Sequence, residues 1–454
     1  MPNVPLLLRH WSWTALGAVL LACAGSLAWG AGGAYYSSGH ASTSTGVNRV
    51  PTLYGRGECG HCHEAHASQP GDTTLYPYTL FAREENACWA CHDSTVTYAA
   101  DTKSPISLTP ANTATDYYKH PVSNLYSGFT PSSHRWGESA ASAFGVGNRH
   151  AECTNCHDPH VAQNNGSAGV STHTPGGVNG NRLSRALLGS TGVVVSSWQA
   201  AGQPFSGASY SFQTLTSMTA NYEWQICFKC HSTFTTLPTY TVGSGSFLAG
   251  KITSTTAGQV KEYRDAGQAY NPSNLSYHPV AAVGRNANIP AASFVSPWST
   301  ITTMYCSDCH SRAQGAAGGL GPHGSSNMHL LEGRQTLQVI TPFVRDLCLK
   351  CHRYETYVSG SDPATNTNFR NGTNNLHNQH ENNAPCYTCH DSHGANNPHL
   401  INFDMAEVSL LRGSLRTSYT MWETYPPGSP PATATGGACF LSCHKSHDNK
   451  IYVR

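Results

Sequence analysis

The sequence predicts an irregular fold of short α-helices and ordered loops with little β-structure, wrapped around covalently attached groups in place of a conventional apolar core. Three observations lead there. Hydrophobic residues make up 39 % of the 454-residue chain and charged residues 11 %, the latter under half the roughly 25 % of an average soluble protein. Segments such as Gly243-Ser244-Gly245-Ser246 and Pro426-Pro427-Gly428-Ser429-Pro430-Pro431 carry almost no 3.6-residue periodicity; Met405 to Arg416 is a better helix candidate. Seventeen cysteines and 25 histidines recur in a fixed pattern. The low charge excludes a disordered polyelectrolyte, and 26 basic against 25 acidic residues gives no case for nucleic acid.

Residues 1–30 read as an export signal. Arg9 and His10 precede an apolar run from Trp11 to Trp29, and small residues follow. The competing reading, a transmembrane anchor, suffers from a short run interrupted by Ser12, Thr14, Gly17 and Gly25. Leu20-Leu21-Ala22-Cys23 resembles a bacterial lipobox, which makes Cys23 a candidate lipid anchor.

The remaining cysteines fall into eight pairs: Cys59/Cys62, Cys88/Cys91, Cys153/Cys156, Cys227/Cys230, Cys306/Cys309, Cys348/Cys351, Cys386/Cys389 and Cys439/Cys443. Each is followed directly by histidine: His63, His92, His157, His231, His310, His352, His390 and His444. Seven are CxxCH, and the last, CFLSCH, has one extra residue. The turns bearing these motifs are the other helix candidates. Two thiols at this spacing add to the two vinyl groups of a haem, and the next imidazole turns under the porphyrin to ligate iron. Disulfides or zinc knuckles do not require a histidine after every pair. The expected cofactors are therefore eight covalently attached haem c groups. The motifs begin 29, 65, 74, 79, 42, 38 and 53 residues apart, leaving roughly fifty residues per haem, too few for a separate helical bundle around each.

The motifs group in twos. Haem pair 1 is assigned to residues 31–105, pair 2 to 106–250, pair 3 to 251–370 and pair 4 to 371–454, as one body around a continuous haem chain. Within the repeat, His-Pro-Val (His120, His278) introduces CxxCHxxH, an apolar stretch such as Leu80-Phe81, Ala186-Leu187-Leu188 or Leu400-Ile401 follows, and a second CxxCH closes it.

Sixteen histidines lie outside the signal and the motifs. Methionine ligation is disfavoured by its scarcity, with Met218, Met304, Met328, Met405 and Met421 beyond the signal, so bis-histidine iron is expected. The CxxCHxxH histidines His66, His160, His393 and His447 lie too close to their own proximal ligand to cover its opposite face, and are expected to reach a neighbouring iron. His323 takes that role in pair 3, displaced by an insertion from Ser311 to Leu320. His120, His278 and His380 form the other set. His40 is a further candidate in pair 1, and His377 competes with His380. His61, inside its motif, is expected to face outward. His134, His150, His173, His329 and His399 are assigned to the surface or to supporting contacts.

The units GECGHCHEAH, ECTNCHDPH, EWQICFKCH and PFVRDLCLKCH resemble the doubled-CXXCH multihaem cytochromes c of metal-reducing bacteria, among them extracellular and outer-surface cytochromes and a hexahaem one that polymerises into conductive filaments. The resemblance runs from about residue 56 to residue 352. It implies extracellular electron transfer, axial histidines that link neighbouring haems, and self-polymerisation. The eight-haem count, the CxxxCH site and the loop after His310 depart from it.

Saturated iron leaves no position for substrate, so an electron carrier without turnover is expected rather than an enzyme. Its partners would be other redox proteins or extracellular metal oxides, reached after export to the cell exterior or outer surface, with the periplasm as the other location. Haem propionates would add up to about two negative charges each. The alternative is an octahaem reductase for nitrite, hydroxylamine or tetrathionate. That requires one open iron, and every motif here ends in histidine.

Overall fold

Every described attachment motif closes a single helical turn. The backbone N–H of the motif histidine donates to the carbonyl of the first cysteine in all seven cases: His63 to Cys59, His92 to Cys88, His157 to Cys153, His231 to Cys227, His310 to Cys306, His352 to Cys348 and His390 to Cys386, at 2.8–3.0 Å. Positions i, i+3 and i+4 of a helical turn share one face. The CxxCH spacing therefore presents both thiols and the imidazole to the same side.

The computed structural model describes residues 34–63, 84–93, 119–120, 122, 151–163, 177–235, 240–242, 245–247, 265–285, 288–313, 321–333, 347–381, 386–395, 398–401, 421–423, 436–439 and 450–453. The expected export signal with Cys23, the Leu80-Phe81 stretch, His66, His134, His150, His173, the helix candidate from Met405 to Arg416, Pro426 to Pro431, Cys443, His444 and His447 lie outside the described residues.

Helices are short, as expected. They are α1 (Glu84–Trp89), α2 (Cys153–Cys156), α3 (Trp224–Cys230), α4 (Ala266–Ala269), α5 (Tyr354–Tyr357), α6 (Leu376–Glu381) and α7 (Cys386–Cys389). Four of these carry attachment cysteines, and three further motifs form 3-10 turns at Cys59–His61, Cys306–Asp308 and Cys348–Lys350. Helices α2, α3 and α7 hold both cysteines of their motif, whereas α1 holds Cys88 and ends before Cys91. No helix among the described residues is long and apolar enough to cross a membrane.

Strands are also short, and all pairings are antiparallel. The most regular is the hairpin β1 (Thr191–Val195) with β2 (Tyr210–Thr214), in which Val193 faces Phe212. Strands β3 (Tyr240–Val242) and β4 (Gly245–Phe247) pair with each other, as do β6 (Arg370–Asn371) and β7 (Asn374–Asn375). Strands β9 (Met421–Glu423), β10 (Gly436–Cys439) and β11 (Lys450–Val453) form one sheet with β10 central. The pairing of β5 (Ser276–Tyr277) with β8 (Gly394–Ala395) is the most consequential, because it joins segments over a hundred residues apart.

The apolar core is aromatic and local. Phe205, Tyr210, Trp224, Phe228, Tyr270 and Trp298 pack with Val193, Val280 and Met304, and the attachment residues Cys306 and Cys351 lie against this cluster. Helix α3 is its centre: Trp224, Gln225, Ile226, Phe228 and Lys229 are all buried. It seats on β1 at Gly192, where a Cβ would lie 2.8 Å from the Gln225 carbonyl oxygen. A Leu183, Leu215 and Ile226 cluster packs against Cys156, Leu187 and Leu188. Apolar burial thus concentrates against the attachment motifs, where it fixes their backbone.

Candidate haem-binding sites

Each of the seven described motif histidines faces a second histidine from elsewhere in the chain. Ring centroids are 5.9 Å apart for His63 and His160, 6.1 Å for His92 and His40, 6.2 Å for His157 and His323, and 6.2 Å for His231 and His120. They are 6.2 Å apart for His310 and His393, 6.4 Å for His352 and His278, and 6.3 Å for His390 and His377. A metal–imidazole bond is about 2 Å long, so two ligands on opposite faces of one iron put their ring centroids about 6 Å apart. One motif histidine meets one non-motif histidine every time.

Backbone carbonyls set which ring nitrogen points inward. Nδ1 of His40, His120 and His278 donates to Pro159, Pro322 and Ser392 oxygen at 2.9, 2.7 and 2.7 Å. Among the motif histidines, Nδ1 of His157, His310 and His390 donates to Ala186, His329 and His399 oxygen at 2.9, 2.8 and 2.8 Å. An Nδ1–H bonded outward leaves Nε2 as the lone-pair donor, the arrangement that orients metal-bound histidine. Burial lowers the pKa of His40, His120, His157, His278 and His310, and takes His352 and His377 to about 3, with neighbouring histidines adding to the effect in those two. These imidazoles are neutral at physiological pH, as ligation requires.

The repeat explains how distant histidines arrive. Tyr277 pairs with Gly394 across β5 and β8, which sets His278 beside His393; an isolated bridge between Lys119 and Gly324 sets His120 beside His323 in the same way. His-Pro-Val is a tight turn in which Val280 N–H donates to the His278 carbonyl at 2.7 Å. At His329-Leu330 and His399-Leu400 the backbone turns left-handed, with φ between 57 and 60°. Non-glycine residues adopt this conformation at a cost of order 1–3 kcal/mol. It aims the His329 and His399 carbonyls at the motif imidazoles, which is the supporting contact assigned to these two residues.

Two kinds of joint connect successive motifs. Within pairs 2 and 3 a lysine ties the motifs together: Lys229 Nζ donates to Asn155 oxygen at 2.6 Å, and Lys350 Nζ to Asp308 oxygen at 2.7 Å. Lys350 also meets Glu332 at 2.6 Å. Pair 1 has no lysine in its motifs; there the second cysteines, Cys62 and Cys91, approach each other, and burial followed by the neighbouring Cys91 raises the Cys62 thiol. Between pairs 1 and 2, and between pairs 2 and 3, the tie is a glutamate four residues before a motif. Glu84 accepts from Thr154 N–H at 2.7 Å and from its hydroxyl at 2.6 Å; Glu223 accepts from Ser307 N–H and hydroxyl. At these joints the attachment cysteines of consecutive motifs meet. A hydrogen bond with Cys153, followed by burial, holds Cys88 well above the usual thiol range, and Glu223, Cys227 and Cys306 place donor atoms within 4.8 Å of one another. Tyr357 stands edge-on between His352 and His377, 5.4 and 5.0 Å from their centroids. Sequence reasoning missed these ties, although the lysine before the second cysteine in CFKCH and CLKCH was a visible signal.

One reading changes. His61 is not outward-facing: it is 1 % exposed, with Nδ1 accepting from Val50 N–H at 3.1 Å and Nε2 donating to Gly55 oxygen at 3.0 Å. The loop before the motif folds over it, and both ring nitrogens are taken up by backbone. At α6 it is His377 that faces His390; His380 Nδ1 instead donates to Leu376 oxygen at 2.6 Å, and its ring lies beside Phe369. The candidate partner of His380, His444, is outside the described residues. Cys91 lies in the turn that follows α1, which stops at Trp89, as Cys62, Cys309 and Cys351 follow the 3-10 turns of their motifs. The Cys91 N–H donates to the Cys88 carbonyl at 3.1 Å, a bond three residues back that tightens the chain past the α-helical pitch. The half-buried Cys91 side chain keeps its place beside Cys62 and before His92, as haem attachment requires. No disulfide joins any of the fourteen cysteines of the first seven motifs, Cys91 among them.

Thiol pairs and a histidine on one face of a turn, with a second imidazole opposite, fit a covalently bound haem c at each described motif. Such a chain is a multihaem c-type cytochrome, an electron-transfer protein. It is of the doubled CXXCH kind, and the family model of that motif matches residues 53–97, the segment that holds Cys59, Cys62, Cys88 and Cys91. No curated protein matches the chain, and no solved structure does.

Proposed function

We propose that the protein is an octahaem conduit that passes electrons along haems arranged in sequence order, exported to the cell exterior or outer surface, where it exchanges electrons with redox partners or metal oxides. Bound haem supplies one-electron ferric–ferrous chemistry at each site. The observation that carries this reading is that all seven described motif histidines face a second histidine. His40, His120, His160, His278, His323, His377 and His393 would saturate the iron and exclude substrate. His380 and His447 are the candidates for the eighth site, at Cys439, Cys443 and His444.

The chain's own residues keep neighbouring sites close and in order. Glu84 and Glu223 join the motif ending one pair to the motif starting the next; Lys229 and Lys350 join the motifs within a pair. His160, His323 and His393 each follow one motif while facing the histidine of another, so their segments crosslink consecutive pairs. Self-polymerisation and a lipid on Cys23 belong to this reading as ways to extend or anchor the conduit.

Carbon monoxide tests the reading. The native reduced protein should show no change in its Soret band on addition of the gas, and the oxidised protein should be entirely low-spin. Stoichiometric carbon monoxide binding, or a high-spin ferric signal, would instead point to a reductase with one open iron.

A further inference from the structure

We propose that the chain builds two electronic classes of haem site that alternate along its length, set by the angle at which it holds each pair of imidazole planes. The inference rests on the bis-histidine reading above. At the first, third, fifth and seventh motifs the two rings are close to parallel: 17° for His63/His160, 20° for His157/His323, 23° for His310/His393 and 18° for His390/His377. At the second, fourth and sixth they are crossed: 63° for His92/His40, 61° for His231/His120 and 58° for His352/His278. No value falls between 23 and 58°, so these are two populations, and they follow motif order without exception.

The backbone holds the rings at these angles. In the crossed pairs the non-motif ring is tethered through Nδ1 to a carbonyl directly preceding another paired histidine: Pro159 before His160, Pro322 before His323, Ser392 before His393. One short segment thus orients a ring of the crossed class and delivers a ring of the parallel class. In three of the four parallel pairs the motif ring is tethered instead, to the carbonyls of Ala186, His329 and His399. A ring with its Nδ1–H bonded to a fixed carbonyl cannot rotate freely about its iron bond.

Ring angle matters because each imidazole donates π density into the iron d orbital perpendicular to its plane. Two parallel rings raise the same orbital and split it from its partner, which gives a rhombic low-spin ferric centre. Two crossed rings raise different orbitals and leave them nearly degenerate, which gives a strongly anisotropic centre. Every neighbouring pair among the seven described sites therefore joins one site of each class.

Electron paramagnetic resonance of the purified holoprotein reads this directly. Spectra of the fully oxidised protein are compared with samples poised so that most sites are ferrous, low-spin and diamagnetic, which removes coupling between neighbours. Two low-spin signals are expected, a rhombic one and a large-g anisotropic one, integrating near four to three, with the site at Cys439/Cys443 adding one to either. His120→Met should remove one of the anisotropic centres and leave the rhombic signal at wild-type intensity; His323→Met should do the reverse. A single low-spin class, or a ratio outside these limits, would overturn the proposal even where a variant fails to fold, since the wild-type spectrum decides it. A high-spin signal in the wild type would overturn the conduit reading itself.

Discussion

Glu223 lies where two attachment motifs meet, 6 % exposed, accepting from Ser307 and close to Asp308. Burial pushes its carboxyl from 4.5 up to about 7, partly opposed by the Ser307 hydroxyl. The folded chain therefore keeps a proton that the unfolded chain has already released between pH 4.5 and 7. Stability is highest below that window, falls as pH rises through it, and is level above it, the total cost being at most about 3 kcal/mol. Glu223→Gln should flatten this segment of the profile in denaturant unfolding and leave stability at pH 4 close to wild type. Lys229 is the complementary case, 1 % exposed and donating to Asn155 and Thr191 oxygens. Its bonds come from a charged donor, so Lys229→Met should cost about 2–3 kcal/mol in the same assay.

At the scale of elements, pairing between distant segments does the work that long helices do elsewhere. Strand β8 reaches β5 at Gly394, where a Cβ would overlap the Ala269 carbonyl oxygen. Gly394→Ala should force β8 away from α4, at a cost of about 2 kcal/mol or more. Because this pairing sets His278 beside His393, the damage should appear spectroscopically as new high-spin intensity from the fifth and sixth sites, alongside a lower unfolding midpoint. Gly372 has nothing within 4 Å of its would-be Cβ but a φ of +59°, so alanine there should cost only about 1 kcal/mol of local strain and leave the spectrum intact. The contrast separates a crowded glycine from a merely left-handed one.

At the scale of the whole molecule, the proposed octahaem reading has covalent cofactors supply much of the core that composition withholds. Intact-mass measurement of the mature protein should report eight haems and, in the same spectrum, either a start near residue 31 or a lipidated start at Cys23. A mass for seven haems would exclude attachment at the CxxxCH motif. The same scale shows how far the sequence could be read. The seven described motif turns and the facing of their histidines by a second imidazole were legible, because haem attachment demands a fixed spacing. The loop-rich, short-helix character was legible too, from Gly and Pro content and the lack of periodicity. His160, His323 and His393 could be selected as reaching other sites, since a histidine three residues past a proximal ligand cannot turn back over the same iron. The choice of His377 over His380 to face His390 was not legible, because both lie on α6 and only packing against Tyr357 and Phe369 distinguishes them. Nor was the burial of His61, which depends on where the preceding loop closes.

The amino-acid order by itself determined the chemistry its motifs call for: a doubled CxxCH pattern that indicates c-type haem, and that each described motif turn presents two thiols and an imidazole together, since these follow from a spacing of three and four residues on one helical turn. Tertiary structure alone decided which histidines meet, at what ring angle, and through which Glu and Lys ties successive sites touch. Those depend on contacts between segments tens to hundreds of residues apart, whose register is set by single backbone pairings such as Tyr277 with Gly394 and leaves no periodic trace in the chain.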